Sequence, residues 1–339
     1  MHRNNITKIC EDALRAANLK LKDIDAIAAT VQPGLVMSLK IGTEFGKYLT
    51  RIGEKPFIPI HHMEAHALTV RMENKVDFPY LVLLVSGGHC LLAIVENVNK
   101  FHLLGSSLNN APGEVFDKVA RRLKLRNIPE FRHLSGGQAI EVAASRATNI
   151  DEISFPPVMT AHRDCNFSFS GIIAHCNLYI EAEEKKNNII GDMLIPNIYN
   201  FCAAFQLAVV IHICQRTQRA IEFVNQMPLF RQNKPTLVIS GGVASNDFLC
   251  KALSIVCTEF GVEFVRTPPK LCRDNGLMIA WNGMEKWITN TDVIRDQRKI
   301  EEVEVRSRST LGEDRIKDVQ ALNLKCKWVK IKKKLLETM

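Results

Sequence analysis

Apolar positions along the chain follow two alternating rhythms. Ile6, Ile9, Cys10, Ala13, Leu14 and Ala17 recur at three- and four-residue intervals, which puts them on one helical face. Residues 24–31 form a nearly continuous apolar run with one acid, the pattern of a strand buried on both faces. Pro33-Gly34 breaks it, and residues 35–52 can continue as a helix. Phe57-Ile58-Pro59-Ile60 reads as a short strand, with a helix from there to about Met72. A second series opens at Tyr80. Residues 81–85 and 90–95 are strands joined by the glycine turn Ser86-Gly87-Gly88-His89, and residues 101–105 offer a third. Pro112 starts a helix to Leu125, proline being tolerated in a first turn. Residues 127–234 read as mostly helical and polar, with a long helical stretch over 195–224. Residues 236–240 are a strand, Gly241-Gly242 a tight turn, 245–259 a helix, 262–265 a strand, and 274–287 a helix whose leading Asp274 suits a positive N-terminus.

The order of these elements contains a repeat. The second series reads strand, strand, strand, helix, insertion, strand, helix, strand, helix. The first reads helix, strand, helix, strand, helix, and the two match if three strands are missing before residue 1. Residues 24–34 then correspond to 237–242, and 57–66 to 262–274. A duplicated βββαβαβα unit is the plan of the actin-like ATPase (ASKHA) superfamily, an α/β fold of two lobes. The expected division is a first lobe lacking its initial strands over 1–78, a second lobe over 79–290 with a helical insertion at about 127–235, and a charged, partly disordered tail over 291–339.

Composition narrows the classes. The 339 residues suffice for two lobes, and 46% hydrophobic with 24% charged residues is ordinary for a globular protein. The ten cysteines contain no CxxC pair, which argues against a disulfide framework or a cysteine zinc site and for a reducing compartment. No apolar run reads from sequence as a membrane span, so no membrane partner is expected. The net charge of +8 permits an anionic partner such as RNA without requiring one. Glu11 and Asp12 speak against a mitochondrial presequence at this start.

The chemistry gathers at His61-His62-Met63-Glu64-Ala65-His66. His62 and His66 are four apart, so one helix face would carry two imidazoles one turn apart, within reach of a single metal ion. Two packed or surface histidines at that spacing are about equally common. Met63 follows His62 where a zinc protease signature needs glutamate, so that reading is weak. The turns Ser86-Gly87-Gly88-His89 and Gly241-Gly242-Val243-Ala244-Ser245-Asn246 each follow a buried strand. Glycine there admits backbone N–H groups to a phosphate, although Gly-Gly alone more often makes only a turn.

These motifs, with LLVSGGH at 83–89, APGEVFDK at 111–118, FSFSG at 167–171 and CRDNGLMI at 272–279, resemble the TsaD family of tRNA adenosine threonylcarbamoyltransferases, formerly called O-sialoglycoprotein endopeptidases. HHMEAH is most similar to the bacterial and mitochondrial branch. The resemblance covers about residues 2–290. It implies a transfer of the threonylcarbamoyl group of threonylcarbamoyl-adenylate, made by a separate synthase, to N6 of adenosine-37 beside the anticodon in tRNAs reading codons that start with A. It implies one divalent metal ion on His62, His66 and Asp274, with zinc, iron and magnesium all conceivable. It implies substrate contacts from Val85, Ser86, Gly87, Gly88, His89, Asp117, Gly137 and Asn246. Asp117 by spacing alone reads as a charge in a first helical turn. Gly137 rests on two glycines of a longer family run. Mitochondrial localisation and a homodimer are further implications. The family's acidic N-terminal loop (a Gly-Ile-Glu-Thr-Ser-Cys-Asp-Asp-Thr-like run) has no counterpart in this sequence, matching the three strands the repeat lacks. Two readings follow: an active transferase, or a catalytically impaired form that only binds metal, tRNA or a dimer partner. The basic run 121–126 and Lys332–Lys334 are candidate RNA contacts, although most such runs are solvated faces.

Overall fold

The computed structural model describes residues 2–230 and 235–337, which form two compact units. Of the described residues, the first comprises 2–78, 95–101 and 274–313, and the second 79–94, 102–230, 235–273 and 314–337. The division differs from the sequence expectation in one consequential respect. Asp274 and the helix after it belong to the first unit, not the second.

In the first unit, α1 (His2–Ala16) precedes β1 (Ile27–Gln32), α2 (Val36–Gly53), β2 (Phe57–His61) and α3 (His62–Leu68). β1 and β2 pair in parallel, Ile27 opposite Phe57 and Thr30 opposite Ile60. The alternation of their side chains explains the continuous apolar run. Ala28, Ile58 and Ile60 face one small core, while Ile27, Ala29, Val31 and Phe57 face another. A strand covered on both faces has no polar side to show. Among the described residues, β1 has no second strand partner.

The second unit holds β3 (Tyr80–Val85), β4 (Cys90–Asn97), β5 (Lys100–Ser106), α4 (Pro112–Arg122), α5 (Gly136–Ala144), α6 (Ser170–Lys186), α7 (Ile198–Val224), β6 (Thr236–Ser240), α8 (Asp247–Glu259) and β7 (Glu263–Arg266), the tip of the β4–β5 hairpin counting with the first unit. α9 (Gly276–Ile288) and α10 (Gln297–Glu301) return to the first unit. β8 (Glu313–Asp314), α11 (Ile316–Ala321) and α12 (Ile331–Glu337) follow. The tail expected to be partly disordered thus carries regular elements, and Val319, Ile331 and Leu335 are buried in the second unit's core.

The large sheet has the order β7-β6-β3-β4-β5-β8. Connections of a few residues make β3, β4 and β5 an antiparallel meander. β6 joins β3 in parallel, and β7 joins β6 in parallel. This is the strand order that one complete βββαβαβα unit requires. The β1-α2-β2-α3 segment repeats its β6-α8-β7-α9 segment, in each case a parallel pair joined through a helix.

The insertion is not the polar segment expected. α7 buries 22 of its 27 residues, Phe201, Phe205, Val209, Ile213 and Ile221 among them. By length and composition α7 is apolar enough to cross a membrane, which the sequence reading overlooked. Here its apolar side chains make the centre of the second unit's core.

Gly241 shows how tightly the turn after β6 is set. Its φ is +98°, and a Cβ there would overlap the Val85 carbonyl oxygen. Gly241→Ala is expected to destabilise the protein by at least about 2 kcal/mol, combining backbone strain with the steric conflict. Urea unfolding checks this, and an unchanged midpoint would refute it.

Candidate metal centre and glycine-lined cavity

α3 begins where β2 ends, so its first turn lies at the carboxyl end of a parallel strand. His61 closes the strand and caps the helix, its Nδ1 accepting the Met63 N–H at 3.2 Å. Burial, then the charges of Lys286 and His62, push the His61 pKa down to about 4. That nitrogen is committed to the helix, which leaves His61 outside the metal set. His62 and His66 share the other face. Their rings are 4.7 Å apart and nearly perpendicular at 83°. Both Nε2 atoms point at one atom, Asp274 Oδ1, at 3.5 Å from His62 and 3.0 Å from His66.

The position of Asp274 depends on α9. Asn275, not Asp274, is the N-cap, its side chain accepting the Met278 N–H at 2.9 Å. The helix expected from 274 therefore starts at Gly276, and the Asp274 carboxylate is free to face the imidazoles. Hydrogen bonds from His62 and His66 hold the Asp274 carboxyl far below the usual carboxylate range. α9 is tied to α3 and the turn after it by three polar links. Trp281 Nε1 donates to the Leu68 carbonyl at 3.1 Å, Arg71 pairs with Glu285 at 2.7 Å, and Lys286 pairs with Glu64 at 3.0 Å. The last is buried, Lys286 at 4% exposure, and Asp292 at 2.8 Å gives it a second anion. Burial pulls the Lys286 pKa down, but Glu64 and Asp292 outweigh it and the net shift is upward.

The ligand atoms of His62, His66 and Asp274 lie within 4.8 Å of one another. Two imidazoles and one carboxylate converging on one point suit a divalent transition metal, the donor set found with both zinc and iron.

In the second unit, a cavity of about 390 Å³ is lined by glycines at 87, 113, 137 and 242, with Asp117 and Asn246 on its wall. Close backbone approach requires glycine at 113, since a Cβ there would stand 2.8 Å from the Gly87 Cα. Of the eight expected substrate residues, Gly87, Asp117, Gly137 and Asn246 line this cavity. Val85, Ser86, Gly88 and His89 do not. Val85 is fully buried in β3, and Ser86 Oγ holds the turn by accepting the Gly88 and His89 N–H groups.

Sequence reading missed several wall residues, notably Ser135, Glu141, Ser245 and Arg273. Glu141 stands four residues after Gly137 on α5, one helical turn on, which is the only signal that would have found it. Its carboxylate accepts the Asp247 N–H at 2.8 Å, and burial raises its pKa. Asn246 caps α8 through the Leu249 N–H at 2.8 Å. Arg266 locks the same loop, donating to the Ala244 carbonyl at 2.8 Å and the Ser245 carbonyl at 2.7 Å and pairing with Asp247 at 2.7 Å.

The comparisons with known proteins agree on a family. Residues 1–281 match the family described as TsaD: tRNA N6-adenosine threonylcarbamoyltransferase. The chain belongs to the TsaD family. The relative named "tRNA N6-adenosine threonylcarbamoyltransferase, mitochondrial" from Xenopus tropicalis is 45% identical over 98% of this chain and 81% of its own length. The human protein of the same name is 43% identical over 98% of this chain and 79% of its own. A tRNA N6-adenosine threonylcarbamoyltransferase of Rhizobium etli is 38% identical over 85% and 75%.

His62→Ala is expected to lower affinity for a divalent ion at least 100-fold in a calorimetric titration with zinc, with little change in the melting temperature of the metal-free protein. Retained affinity would remove His62 from the site. Lys286→Met leaves Glu64 buried without its cation and is expected to cost about 3–5 kcal/mol in chemical denaturation. A loss below about 1 kcal/mol would mean that α3 is held by packing alone.

Proposed function

We propose that the chain is a mitochondrial tRNA N6-adenosine threonylcarbamoyltransferase. Membership of the TsaD family over residues 1–281 is the observation that carries this reading. The mitochondrial relatives at 43–45% identity support the compartment. In the reaction, N6 of the adenosine beside the anticodon attacks the carbamoyl carbon of threonylcarbamoyl-adenylate. The new N–C bond forms, the bond to the phosphate oxygen breaks, AMP leaves, and N6 gives up a proton. The acceptors are tRNAs that read codons starting with A, and the adenylate comes from a separate synthase. The resemblance also supports a homodimer.

The chain's residues divide the work. The glycine walls admit the adenylate close to backbone N–H groups, and the first-turn N–H groups of Gly136 and Gly137 have no partner inside α5. A cavity of about 390 Å³ is within the range of nucleotide-sized sites. Asp117 accepts hydrogen bonds from the ribose or threonyl hydroxyls, and Asn246 offers its amide. Fixing these groups before the substrate arrives reduces the entropy lost on reaching the reactive pose. A divalent ion on His62, His66 and Asp274 would act as a Lewis acid for phosphate or carbamoyl oxygens.

The test is transfer of labelled threonine from threonylcarbamoyl-adenylate to a tRNA carrying unmodified adenosine-37. Label on that adenosine with the wild type and not with His62→Ala is the expected result. No label from a folded, metal-loaded sample would overturn the assignment and leave a binding role. Asp117→Ala is expected to lower kcat/KM for the adenylate about 100-fold while leaving the melting temperature within about 2 °C. An unchanged kcat/KM would place Asp117 outside the site.

A further inference from the structure

The cations at the end of α4 are not equivalent. The stretch from 118 to 126 carries Lys118, Arg121, Arg122, Lys124 and Arg126 with no acid after Asp117. Three of the five are used internally. Lys118 pairs with Glu114 at 2.7 Å. Arg122 makes a two-pronged bridge to Glu184 at 2.8 and 2.6 Å. Lys124 donates to the Gly191 carbonyl at 2.6 Å and stands 3.6 Å from Glu184. Arg121 and Arg126 are exposed, and among the described residues no acid pairs with either. Both line a second cavity of about 440 Å³, whose floor is apolar (Ala120, Leu125, Leu134 and Ala139).

This second cavity shares Asp117 and Ser135 with the glycine-lined one. Asp117 and Arg121 are four apart on α4, so they share a helix face with the acid one turn nearer the glycine turn. A phosphate beside the Asp117 carboxylate is repelled. One beside Arg121 and Arg126 meets two guanidinium groups, which match phosphate geometry. The apolar floor suits a base or ribose face. Lys124 and Asn127, the latter donating to the Asp192 carbonyl at 2.9 Å, staple the end of α4 to the loop at 191–193. The two arginines are thus carried on a fixed support.

We propose that Arg121 and Arg126 form an RNA-backbone clamp that holds the strand flanking the target nucleotide beside the glycine-lined cavity. The inference rests on the transferase reading, since that reading supplies the RNA. The other source of such an anion is the adenylate's own phosphate. Exposed arginines on a rim fit a polyanion passing over the surface better than a small nucleotide enclosed by it.

The experiment compares the full-length Arg121→Ala/Arg126→Ala double variant with wild type. KM is measured for a tRNA transcript and for threonylcarbamoyl-adenylate, and tRNA binding is measured by filter retention across a salt series. The expected result is a rise of at least tenfold in KM and Kd for tRNA, with KM for the adenylate and kcat within twofold. The slope of log affinity against log salt should flatten by about 1.4, two single-strand phosphate contacts at about 0.7 each. Arg121→Lys/Arg126→Lys should recover most of the tRNA affinity, because charge is retained. A tRNA Kd within twofold of wild type would overturn the clamp and reduce the run to a solvated face. A rise in KM for the adenylate alone would overturn it in favour of a donor phosphate site. Filter binding needs no turnover, so arginine-dependent tRNA binding without transfer sustains the clamp and defeats the transferase reading. Transfer with an unchanged KM for tRNA in the double variant does the reverse.

Discussion

The candidate metal centre depends on the register of α9 against α3. His62 and His66 belong to one helix, and their spacing gives a pair of imidazoles but no third donor. The third donor stands 208 residues after His66 and reaches the pair only because α9 packs where it does. That register is specified by polar contacts more than by shape. The core shared by these elements is small, with Ile58, Ile60, Ala65 and Met278 its buried members. Small apolar cores tolerate sliding, whereas a buried Lys286 between Glu64 and Asp292 has one low-energy position. Glu64 sits between the two histidines in sequence and projects from the opposite face of α3. One helix turn therefore carries both the candidate ligands and the anchor that aims them.

The glycine-lined cavity is held by a different device. Its walls carry little side-chain bulk, and their position comes from hydrogen bonds between neighbouring backbone segments. The loop from 244 to 247 is bound by Arg266 through two carbonyls and a carboxylate, and by Glu141 through the N-terminus of α8. Asn246 has a double duty, capping α8 and facing the cavity. Loss of its side chain removes about 1 kcal/mol of cap as well as any ligand contact. Stability and binding are coupled at that position, whereas Asp117, exposed on α4, is free of such coupling.

The legible parts of the sequence were those in which one local rule sufficed. β3 and β6 announced themselves as continuous apolar runs because both faces are buried, and half-buried β1 did so because a small core lies on each side of it. The histidine spacing was legible because helix geometry is fixed. What escaped depended on distant segments. Nothing near Asp274 shows that its helix returns to the first unit. The helix expected from Asp274 starts at Gly276 because Asn275 caps it through the Met278 N–H, leaving the Asp274 carboxylate to the imidazoles. Glu141 looked like any helical acid, since its relevance comes from a loop more than 100 residues later. The tail from 291 looked unstructured because its helices are short and are organised by their contacts with the core, so no long period marks them.

α7 shows why composition misjudged the insertion in both directions. The helix is apolar enough to pass for a membrane span, yet it carries Arg216 and Arg219, at 1% and 0% exposure. Among the described residues neither has a close carboxylate bond. Their guanidinium groups donate instead to the carbonyls of Met159, His162 and Asp164, and Arg219 lies over the Trp328 ring. His212 accepts the Ser168 N–H, and Gln218 bonds both the Lys327 carbonyl and the Val329 N–H. His212, Arg216, Gln218 and Arg219 thus gather irregular segments around α7: 159–168 on one part of the helix, 327–329 on another. Lipid offers no such partners, and charges left there are costly. The partners these arginines do find are the carbonyls of a protein interior, while Arg216 Nε and Arg219 Nε and Nη2 stay unpaired among the described residues. Those carbonyls come from the segments a hydropathy reading discards as polar loop.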